Sequence, residues 1–256
     1  MNDWIIVPVV LPALVAALLL ALRGRLAAQR RVAWVSVLAQ LLLAGALRRA
    51  AAAGPEAYFL GDWPAPFGIV LVLDRLAAVM LALTGVLSAL VLAHVTGTGW
   101  DARGRHFHAL FQFQIMGLNG AFLTGDAFNL FVFFEVLLIA SYGLVIHGGG
   151  AQRLRAGVQY IAFNLVASGL FLVALALTYA VTGTLNLADL AVKVAALPAG
   201  DAALIRVAAV LMMLVFAIKG ALVPLHFWLP GTYALAPGPV AALFANPRHP
   251  YTQGLI

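Results

Sequence analysis

Apolar stretches of about 20 residues recur along this chain, and that repetition leaves few folds open to it. About 20 residues is what an α-helix needs to cross a hydrocarbon core of roughly 30 Å. Inside a bilayer every backbone N–H and C=O must be satisfied by protein, which favours helices over other spanning structures. The composition agrees: 64% of residues are hydrophobic and 9% charged, against about 25% charged in a soluble domain. The mean hydropathy is +1.03. The pattern predicts an all-α integral membrane protein with spans near 4–22, 32–47, 69–95, 107–124, 127–147, 157–181 and 203–223. An eighth begins near Tyr233 and is cut short, giving about seven complete transmembrane helices plus a truncated eighth.

Residues 1–22 are too long and too apolar for a typical signal peptide and read as a retained first helix. Residues 51–68 (AAAGPEAYFLGDWPAPFG) are rich in Gly, Pro and aromatics and predict an ordered external segment. Residues 185–197 alternate polar and apolar positions at helical spacing, as an amphipathic helix lying along the interface would. The chain has no cysteine, which excludes disulfides and thiolate chemistry within it. No His–His or His–carboxylate spacing of a metal site appears, and neither a metal nor another cofactor is expected.

Basic residues set the expected topology. Arg23, Arg25, Arg30 and Arg31 follow the first span, Arg103 and Arg105 the third, and Arg153 and Arg155 the fifth. These loops fall on one side, which predicts that side as cytoplasmic and the amino terminus as external. Asp3, Glu56, Asp62, Asp126, Asp189 and Asp201 mark the other side, with fewer bases. The net charge of +6 therefore does not point to nucleic acid, because the arginines belong to short inter-helix loops.

Two charges stand alone within apolar helices: Glu135 in FNLFVFFEVLLIASYGL and Lys219 in VLMMLVFAIKGALVPLHFWLP. A charge at bilayer depth costs about 2.5–3.5 kcal/mol on insertion scales, so two of opposite sign suggest a buried pair that handles ions or protons. Glu135 lies about eight residues, roughly 12 Å, into its helix. The alternative is a structural carboxylate bonded to a neighbouring helix. Lys219 precedes Pro224 by five residues, and the missing N–H of that proline predicts a break in the seventh span near Gly220. A broken helix carrying a lysine is a recurrent ion-site design; a lysine reaching for the cytoplasmic face is the alternative.

His226, beside Trp228 in PLHFWLP, could relay protons beyond Lys219 or simply bond a backbone carbonyl. His94, His106, His108 and His147 read as solvated interfacial residues, and Asp74–Arg75 as an interfacial ion pair. Gln112, Gln114, Asn119, Asn129 and Ser141 suit bonds between helices. Asn164 and Ser168 are the stronger candidates to line a path, because their helix must pack near the fifth and seventh spans.

With Glu135, Lys219 and K-x-x-x-x-P-x-H-x-W-L-P in view, the chain resembles the antiporter-like membrane subunits shared by respiratory complex I and multisubunit cation/proton antiporters. The stretches GDWPAPFGIVLVLDRLAAVM and KGALVPLHFWLPGTYALAPGPVAALFA look most like the D subunits of Mrp-type Na⁺/H⁺ antiporters. The resemblance covers about residues 1–245. It implies a cofactor-free transporter subunit rather than an enzyme, in the cell inner membrane, with Glu135 and Lys219 as the proton-translocating pair. Its partners would be homologous and small membrane subunits, the lipid bilayer, protons and a monovalent cation such as Na⁺. It also implies an organisation of amino-terminal helices over 1–106 and an incomplete first antiporter-like repeat over 107–245. That is the first half of an inverted-repeat fold with its seventh helix broken. The resemblance leaves two alternatives: a proton-pumping subunit of an NADH:quinone or hydrogenase-type complex, or a non-functional truncated fragment. The last residues, 246–256 (NPRHPYTQGLI), diverge and are similar to a segment of oligopeptide-transporter ATPases. They are not expected to complete the eighth helix.

Overall fold

A computed structural model describes residues 3–198 and 202–235 of the protein. A 3-10 turn over Asp3–Ile6 leads into α1 (Val7–Ala21) and α2 (Leu26–Ala53). A hairpin of β1 (Glu56–Phe59) and β2 (Val70–Leu73) follows, then α3 (Arg75–Thr98), α4 (Phe107–Leu123) and α5 (Ala127–Val145). The remainder is α6 (Ala151–Thr182), α7 (Leu187–Ala195), α8 (Ala203–Lys219) and α9 (Trp228–Leu235).

The helix starts are written locally. Asp74 caps α3 by accepting from Ala77 N at 2.7 Å, Asp126 caps α5 from Asn129 N at 2.8 Å, and Asn186 caps α7. Gly99 and Gly183 end α3 and α6 in the left-handed conformation. Five of the described helices are long and apolar enough to cross a membrane: Asp3–Ala21, Leu26–Ala53, Arg75–Thr98, Ala127–Val145 and Ala151–Thr182. α4 and α8 have 17 residues each, about 25 Å of helix. Large apolar side chains face outward along the spans, as with Leu42 at 77% exposure, which suits lipid rather than water as the surrounding medium.

Four expectations need correction. Residues 69–73 do not open the third helix: Val70–Leu73 pair antiparallel with Glu56–Phe59, so the fold is not purely α. Val and Leu suit a strand as well as a helix, and the Asp74 cap sets the helix start after them. Asp74 is spent on that cap, while Arg75 donates weakly to Ala52 O at 3.4 Å, and among the described residues the two form no ion pair. The eighth helix starts at Trp228 rather than Tyr233, because Pro230 falls in its first turn, where a proline is tolerated. His108 and His147 are buried rather than solvated. His94 and His106 are exposed as expected. The ending of the eighth span and the tail over 246–256 lie outside the described residues.

The hairpin closes one end of the bundle. Gly125 N donates to Val70 O at 2.8 Å, Ala127 N to Leu185 O at 2.8 Å and Leu187 N to Gly125 O at 2.9 Å, joining the hairpin, the α4–α5 turn and the start of α7. Arg30 and Asp101, 71 residues apart, meet at the opposite end, near the start of α4. Arg153, after the fifth span, lies 5.3 Å from the Trp100 ring centre, so residues from the three basic loops meet at this end.

α4 and α5 pack through glycine. A Cβ built on Gly117 would lie 2.6 Å from Leu137 Cβ, and one on Gly120 would overlap the Phe133 ring. Gly120→Val should therefore destabilise the fold by about 1–3 kcal/mol through overpacking. Gly45→Ala, with open space at its Cβ, should be neutral or stabilising by about 0.5–1 kcal/mol. Denaturant titration in detergent reads both, and an unaffected Gly120→Val variant would refute the close-packing argument. This tight α4 contact leaves another face of α5, carrying Glu135, to meet α6.

Candidate functional site

α6 presents one buried stripe that includes Tyr160, Asn164, Ser168 and Phe171. That stripe sits against α5 on one side and α8 on the other. It brings Ser168 between the two isolated charges. Ser168 Oγ donates to Glu135 Oε1, and Lys219 Nζ donates to Ser168 Oγ at 3.2 Å. Among the described residues no direct salt bridge joins Glu135 to Lys219, so the serine hydroxyl is the link. Lys219 Nζ also lies 5.5 Å from the centre of the Phe134 ring, within cation–π range.

Aromatic layers bound this bridge. Toward the hairpin end, Phe131, Phe134, Phe171 and Phe216 contact one another, with the Phe171 and Phe216 ring centroids 5.7 Å apart. Toward the other end, Tyr142 meets Tyr160 edge-on and Tyr160 meets Trp228 at a tilt, each pair of ring centroids 5.4 Å apart. Tyr160 Oη and Ser141 Oγ share a hydrogen bond at 2.9 Å, an interhelical use of Ser141. The charges therefore meet in a mostly apolar shell with one hydroxyl between them.

The helix break is built around Lys219. α8 stops there, Gly220 caps it, and the chain turns before α9. Leu222 N reaches back to Ala217 O at 2.9 Å, and Trp228 Nε1 donates to Ile218 O at 3.0 Å. The indole thus satisfies a carbonyl near the end of the helix, as irregular backbone at membrane depth requires.

The other candidates separate. Asn164 is buried, yet its amide donates to Tyr160 O of its own helix at 2.9 Å, one turn from the bridge. His226 is half-buried, with Nδ1 buried and without a partner among the described residues. The structure brings Glu135, Ser168 and Lys219 together and leaves Asn164 and His226 outside their hydrogen bonds.

The sequence reading overlooked a second ionic cluster. Asp101, fully buried, accepts from Arg30 Nε and Nη2, both at 2.7 Å, and faces His108 Nε2 at 3.0 Å. The available signal was Asp101 itself, an acid set among arginines in an otherwise basic loop.

Comparison with known proteins shows what the chain as a whole is similar to. Residues 124–247 match the family described as NADH:quinone oxidoreductase/Mrp antiporter, TM. The chain is 48% identical to the D subunit of a probable K⁺/H⁺ antiporter from Rhizobium meliloti (strain 1021), over 96% of this chain and 47% of that one. It is 42% identical to the D subunit of the Na⁺/H⁺ antiporter from Bacillus subtilis (strain 168), over 95% of this chain and 50% of that one. Its fold matches a chain of the Mrp complex from Dietzia sp. DQ12-45-1b with a TM-score of 0.85 and 34% identity, covering 95% of this chain and 46% of the other. A chain of respiratory complex I from Thermus thermophilus matches with a TM-score of 0.76 and 26% identity, over 93% and 49% respectively. The chain spans about half the length of the curated relatives it matches. It is similar to antiporter D subunits along nearly all of its own length and has the helical membrane fold of the antiporter-like superfamily.

Proposed function

We propose that this chain, a relative of antiporter D subunits, is a proton-translocating membrane subunit of a multisubunit monovalent cation/proton antiporter. The observation that carries the reading is the Glu135–Ser168–Lys219 bridge in its apolar shell. When the ammonium gives a proton to Ser168 Oγ as that hydroxyl gives its own to the Glu135 carboxylate, the pair passes from oppositely charged to neutral. Neither state leaves a lone charge in the membrane, the arrangement that is most costly there. The serine, both donor and acceptor, lets the proton cross a gap that the charged atoms do not close.

The similarity to D subunits supports the antiporter setting over a redox complex, to which the likeness is lower. In this reading the partners are other membrane subunits of the same complex. The cargo is protons and a monovalent cation, with Na⁺ the first to test. The location is the cell inner membrane, with the arginine-rich loops cytoplasmic and the amino terminus external. Residues 107–245 form the first antiporter-like repeat, with α8 as its broken helix, preceded by the helices of 1–106. His226 is the next proton station after Lys219, and Asn164 holds the α6 backbone near Ser168.

Ser168 gives the direct test. In vesicles carrying the complete antiporter assembled with this chain, Ser168→Ala should slow cation-driven proton exchange by about tenfold or more, as loss of a positioned proton-transfer group does. Ser168→Thr, which keeps the hydroxyl, should restore most of it. Equal rates for wild type and Ser168→Ala would refute the relay.

A further inference from the structure

A second polar line runs through the bundle, away from Glu135 and Lys219, between α1, α2 and α4. On α4, His108, Gln112 and Asn119 are spaced four and seven residues apart and so share one helical face. All three are at most 2% exposed. They extend over about 16 Å at 1.5 Å per residue, a large part of a membrane thickness. α2 answers with Ser36 and Gln40, which are also buried.

The ends of this line are fixed for identifiable reasons. At one end His108 Nε2 meets Asp101 at 3.0 Å, and Asp101 is held by Arg30. At the other end the Pro8 carbonyl accepts from Asn119 Nδ2 at 2.9 Å and Gln40 Nε2 at 3.2 Å. That carbonyl is free because Pro12, four residues on inside α1, has no N–H to offer it. Between the ends, Ser36 Oγ donates to Gln112 Oε1 at 3.0 Å.

Three atoms are left over. His108 Nδ1, Gln112 Nε2 and Asn119 Oδ1 are buried with no hydrogen-bond partner among the described residues. With the His108 Nε2–H directed at Asp101, Nδ1 is an acceptor, Gln112 Nε2 a donor and Asn119 Oδ1 an acceptor. A buried polar group left unsatisfied is destabilising, and three along one helix face concentrate that cost. Water, both donor and acceptor, is the ligand that can satisfy all three, and buried waters commonly take this role.

We propose that α1, α2 and α4 enclose a file of internal water molecules bound by His108, Gln112 and Asn119, through which the buried His108 exchanges protons with solvent. The charged and titratable groups facing His108 are Asp101 and Arg30 at the bundle end and His147 from beyond α5. The file is separate from the Glu135–Ser168–Lys219 bridge, which uses α5, α6 and α8.

Deuterium exchange at the imidazole C2 position, read residue by residue by mass spectrometry on the intact chain in lipid nanodiscs, tests this. His94 and His106 are exposed, and their rates set the open limit. His108 should exchange within about tenfold of them despite showing no surface. Gln112→Leu or Asn119→Leu, which interrupts the file, should slow His108 by about tenfold or more and leave His147 unchanged. Wild-type His108 protected as a dry core residue would overturn the proposal without reference to any variant. Rapid His108 exchange that survives both leucine substitutions would also overturn it, because solvent would then be entering past Arg30.

Discussion

Replacing either Glu135 or Lys219 with alanine is expected to reduce cation-coupled proton exchange to the level of vesicles without protein, with membrane insertion intact. Each single change leaves the other member, half-buried in its apolar shell, without its counter-charge, and removing one partner of a charge pair held out of water is strongly destabilising. Severity alone does not separate a relay from a structural pair. The double variant Glu135→Ala/Lys219→Ala does, because it removes both charges and so relieves the mismatch. Thermal unfolding of the double variant should recover toward wild type relative to either single, while transport stays absent. A structural pair would instead recover transport along with stability. Normal exchange in either single variant would reject the mechanism outright.

Much of this site was legible in the sequence because bilayer physics is restrictive. A lone glutamate among Phe128, Phe131, Phe133 and Phe134, and a lone lysine five residues before Pro224, have few inexpensive explanations. The break after Lys219 followed from the missing proline N–H, and Asn164 and Ser168 were both path candidates because their helix must pack near the fifth and seventh spans; of the two, Ser168 meets the charges. That the serine bridges them, rather than the charges touching, depends on side-chain reach across three helices, which periodicity does not encode. The hairpin was hidden because Val70, Leu71, Val72 and Leu73 are as apolar as the helix they precede, and strand pairing depends on a partner eleven or more residues away. His108 was misread for a related reason. Its position beside a loop suggests water, whereas its burial is set by α2 and the Asp101 carboxylate, contacts fixed only by the tertiary fold.

That buried carboxylate should be the strongest single determinant of stability outside the candidate transport site. Asp101 joins three segments: Arg30 on α2, the turn after α3, and His108 on α4. Its bidentate contact with Arg30 is the geometry in which charge-assisted hydrogen bonds are strongest. Burial pushes the Asp101 carboxyl up, but the hydrogen bonds from Arg30 and His108 outweigh it and hold the group below its ordinary range. A carboxylate depressed in the folded state contributes stability above its unfolded pKa, near 3.9, and loses that contribution as pH falls through the folded value. Asp101→Ala should therefore cost roughly 3 kcal/mol at neutral pH, the low end for breaking a buried pair, because the Arg30 side chain is 35% exposed and can recover some solvation. The difference should shrink on acidification below about pH 4, as the wild type also loses the charge. Denaturant titrations of both proteins in detergent at neutral and acidic pH would show it. A variant gap that is negligible at neutral pH, or that widens in acid, would mean that Asp101 is not held as a paired carboxylate at this end of the bundle.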